Sequence, residues 1–368
     1  MRRREGTAQD ARKTGQSISV ARRRIVRALP LLACPMAAGI THAAQAAQAA
    51  QAAQADNASN EPVVMASAFG VVGDGQANDR AQLQAAIDRS VGKTLVITGA
   101  CRIDARGLDL RSGSRVRFAQ GASIKLLPHD AAFYQIIRIW DVQNVVLERA
   151  MLDGSKALNA APKDTRNGGY GMGISIAGSS NVTLIAPTTS ECWGDGIYIA
   201  NSYTYKGRFP SAIKVIGHRA YGCRRQGVSI ISGSDILFEH PVWENIGGTM
   251  PSAGLDIEPN SNLDVLQKIR VVSPTTRNCR TGILMYLQEI VGPIPKVIQI
   301  EITNHRDESA AVSPVNISGL ELNGRIVKGR IVIDSPVWVK PRLAALRSEN
   351  YDRVSGPEIV VNNQKIIP

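Results

Sequence analysis

A glycine followed by an apolar, a variable and an apolar residue recurs five times in the middle of the chain. It reads GISI at Gly173, GIYI at Gly196, GVSI at Gly227, GLDI at Gly254 and GILM at Gly282. Successive glycines lie 23, 31, 27 and 28 residues apart. A spacing of ~20–50 residues marks an array of stacked units, each too short to bury its own apolar face. Period-two alternation marks strands, so every unit is predicted to carry a short strand at the same place in its coil. Counting from the glycine, +1 and +3 then face the interior, while +2 and +4 face away. Similar alternation fills 101–153, in SRVRFAQGASIKLL and YQIIRIWDVQNVVLERAMLDG. Weaker strands are expected in VNISGLELNG and RIVIDSPVWV, with SENYDRVSGPEIVVNNQKII closing the far end. The pattern predicts an all-β chain wound as a parallel β-helix, clearest over 173–300, with rungs ~4.8 Å apart.

Residues 62–99 break the rhythm. They predict a strand, a glycine turn, a helix and a strand. Asn78 or Asp79 is placed to cap the helix, and Leu83, Ala86 and Ile87 form its apolar face. Such a helix is suited to capping an open solenoid end, where strand edges would otherwise lie bare. The GDG at 73–75 lacks the continuation of a phosphate loop and reads as a turn. The polar, glycine-rich stretch 154–171 is longer than an ordinary turn, and such loops often carry function.

Charge changes the picture mainly at the N-terminus. The formal net charge is +12, yet residues 1–28 hold nine Lys and Arg against two Asp and Glu. The rest carries 34 against 29, about +5. No basic stripe with aromatic partners emerges, which argues against nucleic acid. A mild positive balance suits an acidic polysaccharide. The basic start, the apolar run Ala28–Ile40 and the small residues at Thr41–Ala43 predict an export signal over 1–43. Arg22-Arg23 leaves open a twin-arginine route or a general secretory one, and Cys34 leaves open a lipoprotein site. An Ala/Gln linker follows over 44–61, then one β-helix domain over 62–368, with 62–99 as its cap. No segment reaches ~18 unbroken apolar residues, so no membrane span is expected. The predicted location is periplasmic or secreted.

Cys192 and Cys223 precede their repeat glycines by four residues and Cys279 precedes its own by three, with Asn245 in the corresponding place between them. This predicts an inward ladder of small side chains with free thiols, or alternatively a Cys192–Cys223 disulfide. No spacing suggests zinc. The histidines His129, His218, His240 and His305 lack a partner pattern and read as structural.

The repeat also acts as a ruler. It stacks Asp195, Tyr198, Arg225, Gln226, Ser229, Asp256, Glu258, Arg280 and Tyr286 on one outer face, with Trp193 and the 154–171 loop as a wall. Asp256 and Glu258 sit two apart on one strand, ~7 Å from each other. Paired carboxyls can hydrolyse a glycosidic bond, one protonating the leaving oxygen and the other activating water or attacking carbon. Asp256 and Glu258 lead that reading, then Asp195, and it needs no cofactor. The alternative is β-elimination from a uronate with Arg225 or Arg280 taking part, and Asp195, Asp256 and Glu258 holding Ca²⁺. A third reading is a carbohydrate-binding face without chemistry. Tyr198, Gln226, Ser229, Arg280, Tyr286 and Trp193 would contact the polysaccharide in each case.

The segment FGVVGDGQANDRAQLQAAID, Phe69–Asp88, together with the GDGIYI and RRQGVSI rungs, resembles the opening of the pectate-lyase-like superfamily. The resemblance covers nearly all of 66–340. It implies a right-handed parallel β-helix with an N-terminal capping helix, and the superfamily includes polygalacturonases, polysaccharide lyases, epimerases and phage depolymerases. The polygalacturonase set is missing. WGDGIY shares only Asp195 and Gly196 with that family's Asn-Thr-Asp-Gly segment, Gln226 stands at the histidine of Gly-His-Gly, and GLDIEP carries acids in place of Arg and Lys. The acidic flank is closer to phage-type endoglycosidases.

Overall fold

The computed structural model describes residues 62–159, 170–348 and 352–368. The predicted export signal over 1–43, the Ala/Gln stretch 44–61, Cys34 and most of the 154–171 loop lie outside them. Three long parallel sheets wind around one lumen. Sheets A and B have 11 strands each and sheet C has nine, and neighbours within a sheet come from successive coils. The repeat strands form sheet C: Tyr170–Ala177, Asp195–Ala200, Gln226–Ile230, Ala253–Ile257 and Thr281–Tyr286.

Stacking places like on like. In sheet A, Val182, Ile213, Ile236, Ile269, Ile300, Ile331 and Ile359 pair in one continuous column. In sheet C, Ile174, Ile197, Val228, Leu255, Ile283 and Val315 do the same. Both columns face the core. Each repeat thus buries its β-branched face only against its neighbours, as the period requires. The segments VNISGLELNG, RIVIDSPVWV and the C-terminal tail extend the same sheets through Ser313–Ser318, Val327–Asp334, Val337–Val339, Glu358–Asn362 and Lys365–Ile367.

Residues 62–103 already contribute coil strands. Val63–Met65 and Thr94–Ile97 pair in sheet A, and Asp74–Asn78 and Ala100–Ile103 pair in sheet B. Helix α1, Arg80–Arg89, buries Leu83, Ala86 and Ile87. Its Gln84 amide bonds Asp109 both ways, donating to the carbonyl at 2.9 Å and accepting the N–H at 2.8 Å. Asp109 belongs to the first sheet C strand, Leu108–Asp109. Asp79 occupies the N-cap position, but its carboxylate turns back to accept the Val72 and Gly73 N–H groups. Asn78 accepts the Arg80 N–H instead.

The sulfur ladder also needs a correction. Cys192, Cys223 and Cys279 are buried free thiols, but the inward residue between Cys223 and Cys279 is Ile246, which is in the core. Asn245 is exposed with φ 55° and accepts a hydrogen bond from Asn278, φ 49°, one coil on. It is the corner residue that lets the chain turn out of sheet B.

Candidate functional site

The repeat glycine explains how the site is built. A Cβ on Gly227 would lie 2.5 Å from the Gly254 carbonyl oxygen and 2.9 Å from Trp243 Cδ1. On Gly254 it would lie 2.8 Å from the Gly282 carbonyl oxygen. Sheet C passes too close to the lumen side of sheet B for any side chain there. The glycine therefore faces inward beside the inward +1 residue, and strict alternation fails at that point. The −1 residue is thrown onto the same outer face as +2. This puts Asp195 and Gln226, both at −1, in the same layer as Tyr198, Ser229 and Asp256.

The register then sets the contacts. Asp195 pairs with Gln226, and Ser175, Tyr198, Ser229, Asp256 and Leu284 form the adjoining column. Arg225 sits between the acids. Its Nη1 lies 3.1 Å from Asp195 Oδ2 and its Nη2 3.1 Å from Glu258 Oε2. Ser229 Oγ donates to the same Asp195 oxygen at 2.9 Å. Gln226 Oε1 accepts the Ala253 N–H at 2.7 Å, which fixes the amide so that Nε2 donates to Asp256 Oδ2 at 2.6 Å. Seven of the anticipated residues therefore form one layer.

Burial differs from the open patch that the sequence predicts. Asp195, Gln226, Ser229 and Asp256 are all 0% exposed. Surface is left to Arg225, whose side chain is 20% exposed, and Glu258 at 28%. Tyr198 is half-buried, with Asn260 beside its hydroxyl. Asn260 and Ser175 belong to the layer and were not among the predicted residues; the outward +2 column does contain Ser175, whereas Asn260 arrives from a turn that no repeat position marks. Arg280 is exposed and stands outside this network. Tyr286 turns to Gln288. Trp193 packs beside the core one column away, with the Arg224 guanidinium 4.2 Å from its ring centre.

Electrostatics follow from that burial. Desolvation pushes the Asp195 carboxyl up, against Arg225 and Ser229, which pull it down. Asp256 is driven well above the usual carboxylate range, first by burial and then by the negative charge of Glu258. Since Asp256 Oδ2 accepts from Gln226, the proton held by Asp256 belongs on Oδ1. Arg225 is pushed up, chiefly by Asp195. Asp195 Oδ1 and Asp256 Oδ1 are buried without a protein partner.

The Ca²⁺ arrangement is not supported by these donors. Among the described residues, no three His, Cys, Asp or Glu side chains are grouped to hold a metal ion. Arg225 already occupies the cationic position between Asp195 and Glu258.

No family model matches the chain, and no curated protein matches it in sequence. Its coil architecture is shared with solved structures. An iota-carrageenase from A. fortis is 13% identical with a TM-score of 0.57, over 84% of this chain and 88% of that one. A 1,3-α-1,4-β-D-galactose-4-sulfate 3,6-anhydro-D-galactose-2-sulfate 4 galactohydrolase is 13% identical with a TM-score of 0.57, over 84% and 91%. A surface adhesin of Streptococcus pneumoniae is 10% identical with a TM-score of 0.44, over 83% and 91%. At such identities the likeness concerns the fold alone, and the fold is that of a parallel β-helix solenoid.

Proposed function

We propose that this chain is an exported polysaccharide-active enzyme of the pectate-lyase-like class that hydrolyses glycosidic bonds. The observation that carries the reading is the Asp256–Glu258 pair, two carboxyls two residues apart at the end of one strand, one sealed in and the other at the surface beside Arg225. Glu258 is the acid that meets substrate and donates a proton to the leaving glycosidic oxygen. Asp256, held by Gln226, is the second carboxyl of the pair and carries its proton in a dry site. Asp195, oriented by Ser229 and Arg225, is assigned the attacking water through its unpartnered Oδ1. Burial beside a second carboxyl is a general way of keeping a carboxylic acid neutral near pH 7. Tyr198 borders the substrate, and helix α1 covers the open N-terminal edge of sheet C.

Neighbours of the same fold include hydrolases of sulfated galactans by their names, which fits an anionic substrate. β-Elimination with Arg225 as base is disfavoured, because the two acids beside it hold its proton more tightly than usual. The full burial of Asp195 and Asp256 gives weight to a second reading, a polysaccharide-binding face without chemistry.

The test is product analysis over a panel of polysaccharides. Hydrolysis yields new reducing ends without an unsaturated sugar. Glu258→Gln and Asp256→Asn should each fold and lose at least ~100-fold in rate, the usual scale of general acid catalysis. Full activity in both folded variants would sink the assignment. Binding without product selects the second reading.

A further inference from the structure

The segment joining Asp195–Ala200 to the sheet A strand Ser211–Ile216 has the sequence NSYTYKGRFP. It is an ordered arm. Asn201 donates to buried Asp264 at 2.5 Å. Ser202 accepts the N–H groups of Thr204 and Tyr205, and its own N–H bonds the Arg208 carbonyl. The Arg208 guanidinium covers the Tyr205 ring at 3.9 Å and reaches Asp141 at 3.4 Å.

This arm holds Tyr203 over sheet C. The Tyr203 hydroxyl lies beside the Ser175 side chain, whose hydroxyl accepts the Trp140 indole N–H at 2.9 Å. Trp140 braces the Tyr203 ring edge to face, with centroids 4.9 Å apart and planes at 61°. Yet Tyr203 is 60% exposed. The ring is fixed against Trp140 and its remainder faces solvent. A core role does not require that, and a flat partner does: rigid aromatic rings supply contact area at low entropic cost.

Position identifies the partner. Ser175, beneath Tyr203, lies in the column that runs on through Tyr198 and Ser229 to Asp256. The three rung steps amount to ~14 Å. A rung is close to the advance of one pyranose residue along a chain. We propose that Tyr203 is a saccharide-stacking residue. It binds a sugar about three residues from the bond presented to Glu258, with the polysaccharide lying along the solenoid axis. This rests on the proposed polysaccharide-cleaving function and adds the direction and the remote subsite.

The test measures binding separately from cleavage. Affinity electrophoresis through polygalacturonate, alginate or iota-carrageenan, with dextran as neutral control, is run on the full chain in the Glu258→Gln background. For whichever polymer retards it, Tyr203→Ala should weaken binding by about tenfold, and Tyr203→Trp should keep it. Oligosaccharides of that polymer should show the loss for lengths of four sugars or more and not for two. Melting curves check that the variants fold. Unchanged affinity in folded Tyr203→Ala overturns the stacking residue and leaves the Glu258 reading standing. Loss of binding in Tyr203→Ala, with cleavage intact in Glu258→Gln, does the reverse. Retardation by none of the polymers overturns both.

Discussion

At the scale of single residues, the site turns on what burial does to carboxyls. Asp256 holds its proton more tightly in the native state than its ordinary value near 3.9 allows. The sign follows from linkage: a group with a raised folded pKa stabilises the fold below its unfolded pKa, and that stabilisation is lost as pH rises through the folded value. Asp195 acts in the same direction. Asp256→Asn keeps an acceptor for Gln226 and removes the charge. Its melting temperature should therefore exceed that of the parent at pH 8, converge with it near pH 4, and depend less on pH between. A parent melting temperature that rises with pH across this range, unaltered by the substitution, would contradict the assignment.

The element scale shows why five glycines recur and why other positions drift. The repeat glycine faces the opposite sheet at a distance no side chain tolerates. The corners need a left-handed residue and accept several types. Successive coils use Arg149, Ala186, Gly217, His240, Ser273 and Asn304 at one corner, all with φ between 48° and 65°. Ala186 has neither the freedom of glycine nor the local hydrogen bonding of asparagine there. Ala186→Gly should stabilise by about 1 kcal/mol, and Gly254→Ala should destabilise by ~1–3 kcal/mol through overpacking. Chemical denaturation reads both. Corner residues of such variety leave a weak trace in the sequence, which is why Asn245 was assigned to the interior when it forms a turn.

The whole molecule carries a second buried polar system that the repeat does not announce. Within the lumen, Thr189 contacts His218 Nε2 at 2.9 Å and the Trp243 indole donates to His218 Nδ1 at 3.2 Å. Three coils on, Thr276 contacts His305 Nε2 at 2.9 Å and Trp338 donates to His305 Nδ1 at 3.3 Å. An indole only donates, so each neutral histidine carries its proton on Nε2 and donates to the threonine. The second set continues from Thr276 to Asp307 at 2.6 Å. Burial lowers both histidines to about 3 and raises Asp307 to about 6. The histidines stabilise the fold above their ordinary value near 6.5, and that contribution is lost as pH falls from there towards 3. Asp307 contributes below about 4, and its effect is lost as pH rises through about 6. His218→Asn with His305→Asn should cost about 1–3 kcal/mol per site at neutral pH and flatten the loss of stability between pH 6.5 and 3. An equally steep acid limb in the double variant would show that other groups set it. Histidines without a sequence partner are structural here because their partners lie a coil away.

Local periodicity determined the coil, the strands of sheet C, the helix of 80–89 and the column that gathers Asp195, Arg225, Asp256 and Glu258. Those features repeat at fixed intervals, and stacking turns an interval into a neighbour. The tertiary structure decided which of these groups keep surface. It buried Asp256 and Asp195, left Glu258 and Arg225 accessible, set Arg225 where a cation would lie, and brought Tyr203 over Ser175. Those outcomes depend on irregular arms and turns between the strands, whose paths no period encodes, and on desolvation, which arises only once the coils close over one another.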